Sequence, residues 1–383
     1  MPQQPTAACD VAVIGGGVIG LTVAWRAAQR GHSVRLFERG ELGGGASRVA
    51  AGMLAPVTEA DPGELALLEL GLRSARMWPA FAAELAAASG SDSGLRSCGA
   101  LVVARDRDEA EALERELTLR RKLGLDVQRL LPSAARRLEP ALTPTIRLAL
   151  DVPGDHAADP RATAIALAEA GRRTGVVFCT GEEVRRIGCD GARLTGIELA
   201  GGAVVGARHV VIASGAWSGA IAGLPDGAMR IPLRPVKGQI MRLRDPAGPG
   251  LLQRIVRFEG GYIVPRGDGR YVLGATMEER GFDTTVTAGG LYELLRDAGE
   301  LVPGIHELIV EETSAGLRPA TPDNAPVLGR ADDVEGLVWA TGHHRNGVLL
   351  APVTGEIVAG ALDGGDVPDE FAARRFAHLQ VAA

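Results

Sequence analysis

The sequence predicts an α/β protein in which a Rossmann-like nucleotide domain is interleaved with a second, mainly antiparallel β-sheet domain. Three observations lead there. A glycine loop, "VIGGGVIG" from Val13 to Gly20, joins an apolar run to an alanine-rich helical run. Alternating strand and helix patterns return near 160–220 and again after 317. Between them lie two blocks, roughly 90–150 and 225–317, and the second is dense in strand signals.

Asp10 to Ile14 reads as a buried strand, Val18 to Arg30 as a helix ended by Gly31, and Ser33 to Phe37 as a second strand that ends on Glu38. Gly15, Gly17 and Gly20 fit the G-x-G-x-x-G spacing. Gly15 permits the tight turn, Gly17 lets a pyrophosphate approach the backbone, and Gly20 lets the helix pack closely on the strand. The helix N-terminus offers free N–H groups, through Val18 and Ile19, to a phosphate. Glu38 stands where a carboxylate accepts hydrogen bonds from a ribose diol and would repel a 2′-phosphate. The unit therefore suits an ADP moiety without that phosphate. NAD and FAD both stay open here, and a ligand-free glycine turn is the plainer alternative.

Residues 63–90 read as a long helix, with Leu65, Leu68, Leu72, Met77 and Phe81 near helical spacing. Leu101 to Ala104 reads as a strand, Glu109 to Leu123 as a charged helix, Arg161 to Thr174 as another helix, and Val176 to Phe178 as a strand. "HVVIASGAWSG" gives a strand running into a glycine turn. "QIMRL", "GGYIVPR" and "RYVLGAT" read as strands, 290–301 as a helix, Glu307 to Leu317 and Leu337 to Ala340 as strands, and Val348 to Leu362 as a final helix. This order places the nucleotide domain in 1–89, 150–224 and 318–383, and a substrate domain in 90–149 and 225–317. An NAD dehydrogenase more often keeps its dinucleotide domain in one stretch, so the interleaving favours FAD by fold-level analogy.

The 383 residues exceed what one core readily serves. Lys and Arg total 41 against 47 acids, a net charge of −6 with no dense basic run, which gives no nucleic-acid face. "MPQQPTAACD" lacks a basic region followed by an apolar core, so no signal peptide is expected. The longest uncharged stretch, Val210 to Pro225, falls short of the ~20 residues that span a bilayer. Cys9, Cys98, Cys179 and Cys189 form no C-x-x-C and no metal spacing, and adjacent His343 and His344 are poor partners for one ion. The expectation is a cytoplasmic protein with reduced thiols, no metal and no membrane partner. A homo-oligomer is an open possibility that no residue decides.

The segments "VIGGGVIGLTVAW", "GGGASRVAAGMLAPVTE", "ASGAWSG", "PVKGQIM", "GGYIVPR", "GATMEE", "GLRPATPDNAPVLG" and "TGHHRNGVLLAP" resemble, from about Asp10 to Phe376, the D-amino-acid oxidase superfamily of FAD-dependent amine oxidases. Within it the chain is similar to the glycine oxidase branch tied to thiamine synthesis. The resemblance implies that Ala46, Ser47, Ala50, Ala51, Gly52 and Met53 run beside the pyrophosphate and flavin ring. It places Arg39, the backbone of Val184, and Gly215 with Trp217 along the dinucleotide. It places His343, Arg345, Asn346, Gly347, Val348 and Leu349 in a turn whose N–H groups face the flavin pyrimidine edge.

The resemblance also implies a substrate pocket. Arg318 of "GLRP" matches an arginine that grips the substrate carboxylate, a role suited to its planar fork of donors. A surface ion pair is the plainer alternative. Tyr262 would line the pocket and help orient the carboxylate, Met277 would cap it, and Arg345 would stand at the flavin or the carboxylate entrance; each could also be ordinary packing. Two positions depart from the family: Gly260 where some members carry histidine, and His344 where an aromatic is common. No cysteine lies near "GLRP", so non-covalent FAD is expected. The implied reaction passes hydride from an α-carbon to the flavin, yields an imine that hydrolyses to α-keto acid and ammonia, and makes hydrogen peroxide from oxygen. The implied substrates are glycine, sarcosine and small D-amino acids. A D-amino-acid or N-methylglycine oxidase or dehydrogenase of the same fold is the alternative.

Overall fold

The structure, a computed structural model, describes residues 6–380. The first five residues of the stretch read for a leader lie outside the described residues, as do 381–383 at the C-terminal end of the proposed nucleotide domain.

The fold class is the expected one. Five parallel strands form the heart of the first sheet, in the order Leu337–Thr341, Val204–Ile212, Thr6–Ile14, Val34–Glu38 and Val177–Thr180. Along the N-terminal strand, Val11 and Val13 face one core while Ala12 and Ile14 face another. Both faces are covered, which is why this strand reads as an unbroken apolar run. Helices Val18–Gln29, Leu65–Ser89, Pro160–Arg173 and Gly347–Leu362 cover the first face. The antiparallel pair Val184–Asp190 and Arg193–Leu199 continues the sheet through Val204–Ile212 and packs its apolar residues into the second core.

Among the described residues the second sheet has eight strands, paired antiparallel except where Ile255–Phe258 runs parallel to Ala100–Ala104. Its longest pairing joins Arg234–Arg244 to Ile309–Ala320. Met241, Leu243, Ile263 and Leu273 bury one face under helix Ala288–Leu301, which Thr287 caps by accepting from the Gly290 N–H. The opposite face presents Ile240, Tyr262, Val264 and Val272 toward the first domain. Strands Leu148–Val152 and Ile309–Ala320 both belong wholly to this sheet, so they run across the divisions drawn at 149/150 and 317/318.

Helix Arg107–Lys122 begins at Asp106, whose side chain accepts from the Glu109 N–H, and carries Arg120, Arg121 and Lys122 in its last turn. Helix Leu65–Ser89 stops at Gly90, which takes a φ of 73° that side chains disfavour. Among the described residues, no helix is long and apolar enough to cross a membrane.

Candidate active site

One cleft of about 1290 Å³ runs between the two sheets, larger than the ~300–1,000 Å³ of a drug-sized pocket. Its length passes from Glu38 and Val184 at one end to Tyr262 and Arg318 at the other.

The glycine unit builds the first end. Gly15 has a φ of 109°, and a β-carbon there would lie 2.5 Å from the Ala213 carbonyl. A β-carbon on Gly20 would meet the Gly15 carbonyl at 1.9 Å, so this glycine serves close packing beneath the loop and does not line the cleft. Glu38 accepts from the N–H of Gly16 at 2.7 Å and of Gly40 at 2.8 Å. Those two donors fix its carboxylate at the cleft wall and leave lone pairs over. Ser47 lines the cleft, but its hydroxyl already accepts from the Val18 N–H at 2.9 Å, which ties helix Gly45–Val49 to the glycine loop.

Gly17, Val18, Ile19, Arg39, Ala46, Ala50, Ala51, Gly52, Met53, Val184, Gly215 and Trp217 also line the cleft. Arg39 stacks over the Trp217 ring at 4.1 Å, and Trp217 meets Phe282 of the second domain at 5.6 Å. The Ala46–Met53 segment is held by three arginines to which the sequence assigned no role. Arg161 and Arg242 donate to the Arg48 carbonyl, and Arg266 to the Ala51 carbonyl. Burial, with Arg161 and Arg266 nearby, pulls Arg242 down to about 10.

At the turn before helix Gly347–Leu362, His343, Arg345, Gly347 and Val348 line the cleft, with His344. Asn346 and Leu349 do not; they face a small depression on the far side with Pro56 and Glu64. The reason is helical rotation: about 100° per residue turns 346 and 349 away from the face that 347 and 348 present. Burial holds both His343 and His344 down at about 3, so both imidazoles are neutral at pH 7. His343 exchanges a 2.9 Å hydrogen bond with Thr354, whereas His344 Nε2 is buried without a partner among the described residues.

Arg318 and Tyr262 meet at the second end. Arg318 Nη1 donates to the carbonyls of Thr276 at 3.1 Å and Lys237 at 3.3 Å. Among the described residues no carboxylate lies within ion-pair distance of it, so the surface-pair alternative does not describe its surroundings. Burial pushes the Tyr262 phenol up, opposed by the Arg318 guanidinium beside it. Met277 stands at the mouth, 67% exposed. Arg345 is held by Glu59 at 2.9 Å and Glu64 at 3.1 Å. A guanidinium between two carboxylates has little net charge to offer a third, whereas Arg318 has no such pairing among the described residues. Gly260 lines the outer end, where Glu293 and Asp297 also reach the cleft.

The residues present fit a flavin dinucleotide. The glycine cradle excludes side chains, the Glu38 carboxylate offers acceptors suited to a diol, and the helix beginning at Gly347 turns its N-terminus to the cleft beside the unpartnered His344 Nε2. This is the site of a flavin-dependent oxidoreductase. The chain belongs to the FAD-dependent oxidoreductase family, whose profile, described as FAD dependent oxidoreductase, matches residues 10–361.

Its nearer likeness is to amino-acid oxidases. It is 39% identical to glycine oxidase of Geobacillus kaustophilus, covering 91% of this chain and 92% of that one. The crystal structure of glycine oxidase from that organism superposes with a TM-score of 0.89, covering 97% and 99% of the two chains at 37% identity. A bifunctional protein ThiO/ThiG of Trichormus variabilis is 34% identical across 91% of this chain, which spans 52% of that longer protein.

Proposed function

We propose that this FAD-dependent enzyme oxidatively deaminates glycine and similar small amino acids, sarcosine and small D-amino acids among them. The products are the α-keto acid, ammonia (methylamine from sarcosine) and hydrogen peroxide. The observation that carries this reading is Arg318: a guanidinium with no carboxylate partner among the described residues, beside Tyr262, at the end of a flavin-sized cleft. A small amino acid brings the missing carboxylate.

FAD, bound without a covalent link, supplies the acceptor for hydride from the substrate α-carbon. The chain's own residues do the rest. Arg318 grips the carboxylate, with Tyr262 orienting it, and so fixes the α-carbon; holding reacting atoms about 3–3.5 Å apart is the main demand of this chemistry. Met277 covers the mouth. Arg345, tied to Glu59 and Glu64, holds the turn that presents Gly347 and Val348. Likeness to glycine oxidases and to the ThiO/ThiG fusion supports a role in supplying thiamine synthesis, in the cytoplasm.

The test is a substrate panel on purified holoenzyme, followed by anaerobic flavin bleaching and then by peroxide release. Glycine, sarcosine and small D-amino acids should bleach the flavin, and oxygen should restore it with peroxide. Faster bleaching by bulky L-amino acids would overturn the substrate class, and bleaching without reoxidation by oxygen would reassign the enzyme as a dehydrogenase.

A further inference from the structure

The cleft contains a further arginine, Arg257, that glycine does not need. Arg257 stands directly opposite Tyr262 in the antiparallel pair Ile255–Phe258 and Gly261–Pro265. Residues opposite one another in a sheet project from the same face. Register carries that face onward: Tyr262 opposes Gly274, Gly274 opposes Ile240, and Ile240 opposes Ser314. Arg318, four residues along the strand from Ser314, projects from the same face. The two arginines therefore flank Tyr262, and both line the cleft.

The basic groups around the cleft differ in how their neighbours balance them. Arg345 is neutralised by Glu59 and Glu64, and Lys237 sits against Glu278 and Asp283. Asp297 is taken by Arg105 and Arg296. Arg257, like Arg318, has no carboxylate within ion-pair distance among the described residues. Its Nη1 donates to the Thr58 carbonyl. That peptide is itself rigid: Asp155 accepts from the N–H groups of Val57 and Thr58, and buried Arg120 donates to both their carbonyls. The tether aims Arg257 but leaves its charge and remaining donors free, since a neutral carbonyl takes one N–H of five. A fixed cation without a counter-charge in a ligand cleft is a site for an anion.

We infer that Arg257 anchors a second substrate carboxylate, so that the site takes small amino diacids. This rests on the reading above, in which Arg318 takes the first carboxylate. The second can be carried on an arm of the nitrogen, as in iminodiacetate, or on the α-carbon, as in D-aspartate. For iminodiacetate the step balances simply. The α-carbon of one arm loses hydride and the nitrogen a proton, forming C=N. Water adds to that carbon and the C–N bond breaks, giving glyoxylate and glycine. Molecular oxygen takes the two electrons and two protons as hydrogen peroxide. For D-aspartate the same loss and hydrolysis give oxaloacetate and ammonia.

The test uses unreactive acids on the FAD-loaded enzyme, with Kd read from the perturbed flavin spectrum. Diglycolate is compared with methoxyacetate, and succinate with butyrate. At least one diacid should bind about tenfold or more tighter than its monoacid, a difference of ~1.4 kcal/mol. Arg257→Gln should bring that pair within about threefold while leaving the monoacid Kd unchanged. The matching turnover comparisons, iminodiacetate against sarcosine and D-aspartate against D-alanine, say which arm carries the group. Equal Kd within both pairs in the wild type overturns the inference, as does an Arg257→Gln enzyme that keeps the preference. If that variant does not hold FAD, the wild-type pairs and Arg257→Lys, which keeps charge without the planar fork, decide it. Failure of the parent reading looks different: the monoacids would not perturb the flavin and glycine would not be oxidised.

Discussion

The Arg318 guanidinium lies flat over Gly238, so close that a β-carbon on that glycine would stand 2.4–2.6 Å from three of its atoms. The two residues sit on neighbouring strands, with Arg318 opposite Val236 and Gly238 opposite Gly316. The missing side chain is what lets the arginine reach across to the Thr276 carbonyl. Gly238→Ala would displace the flexible end of Arg318 rather than the backbone. We expect kcat/KM for glycine to fall by about tenfold to 100-fold, or ~1.4–2.7 kcal/mol, while FAD content and melting temperature stay near wild type. Steady-state kinetics beside the flavin-to-protein absorbance ratio would check it. Unchanged kinetics would show that Arg318 works from another position.

Direct truncation should cost more. Arg318→Ala leaves a substrate carboxylate unpaired in the cleft, a loss of roughly 2–5 kcal/mol, or about one and a half to three and a half decades in kcat/KM. Arg318→Lys should recover only part, because lysine lacks the planar fork. A variant that keeps its FAD and oxidises glycine within about threefold of wild type, under ~0.7 kcal/mol, would remove the arginine from the site.

Glu38 should govern cofactor affinity. Its carboxylate is held by two backbone N–H groups and turned to the cleft. Losing one hydrogen bond to a charged group costs ~1.5–3 kcal/mol. Titrating FAD into apoprotein should therefore show Kd rising about tenfold to 150-fold in Glu38→Ala. Glycine turnover at saturating FAD should change little. A cofactor Kd within twofold of wild type would count against a ribose contact.

The attachment of the flavin is open to a one-tube experiment. None of Cys9, Cys98, Cys179 or Cys189 lines the cleft. Acid precipitation should leave a white pellet and a yellow supernatant whose spectrum is that of free FAD. Colour that stays with the pellet would reveal a covalent link through another residue.

Asp155 should make stability depend on pH. Burial raises its carboxyl from 3.8 to about 6, against the lowering effect of the Thr58 and Val57 N–H groups. An acid whose pKa is higher in the folded state stabilises the fold fully below its unfolded pKa. That contribution is lost as pH rises through the folded value, so the window runs from about 3.8 to about 6. The shift of roughly two units corresponds to an order of 2–3 kcal/mol. In Asp155→Asn this component vanishes. Melting temperature measured from pH 4 to 7 should then rise more, or fall less, with pH than in wild type. Parallel curves would show that the carboxyl titrates normally.

Much of this protein is legible in its sequence. The strand, glycine loop, helix and Glu38 lie within about thirty residues, and their geometry follows from φ, capping and apolar period alone. The same local logic located the helices at 65–89 and 107–122 to within a few residues. Arg318 was legible through its motif, though its freedom from a carboxylate was not.

What the tertiary structure decided was every relationship across the cleft. Arg345 matches a position at the flavin or the carboxylate entrance, or one that merely caps the turn, and only the fold brings Glu59 and Glu64, 286 and 281 residues away, against its guanidinium. Arg257 reads as any strand arginine until register sets it opposite Tyr262. Gly238 gains its purpose only when Arg318 crosses it. Period and turn chemistry depend on neighbours within a few residues, so a sequence carries them openly. Charge pairing and steric room at a site depend on which distant strands share a face, and that is fixed only when the two sheets pack.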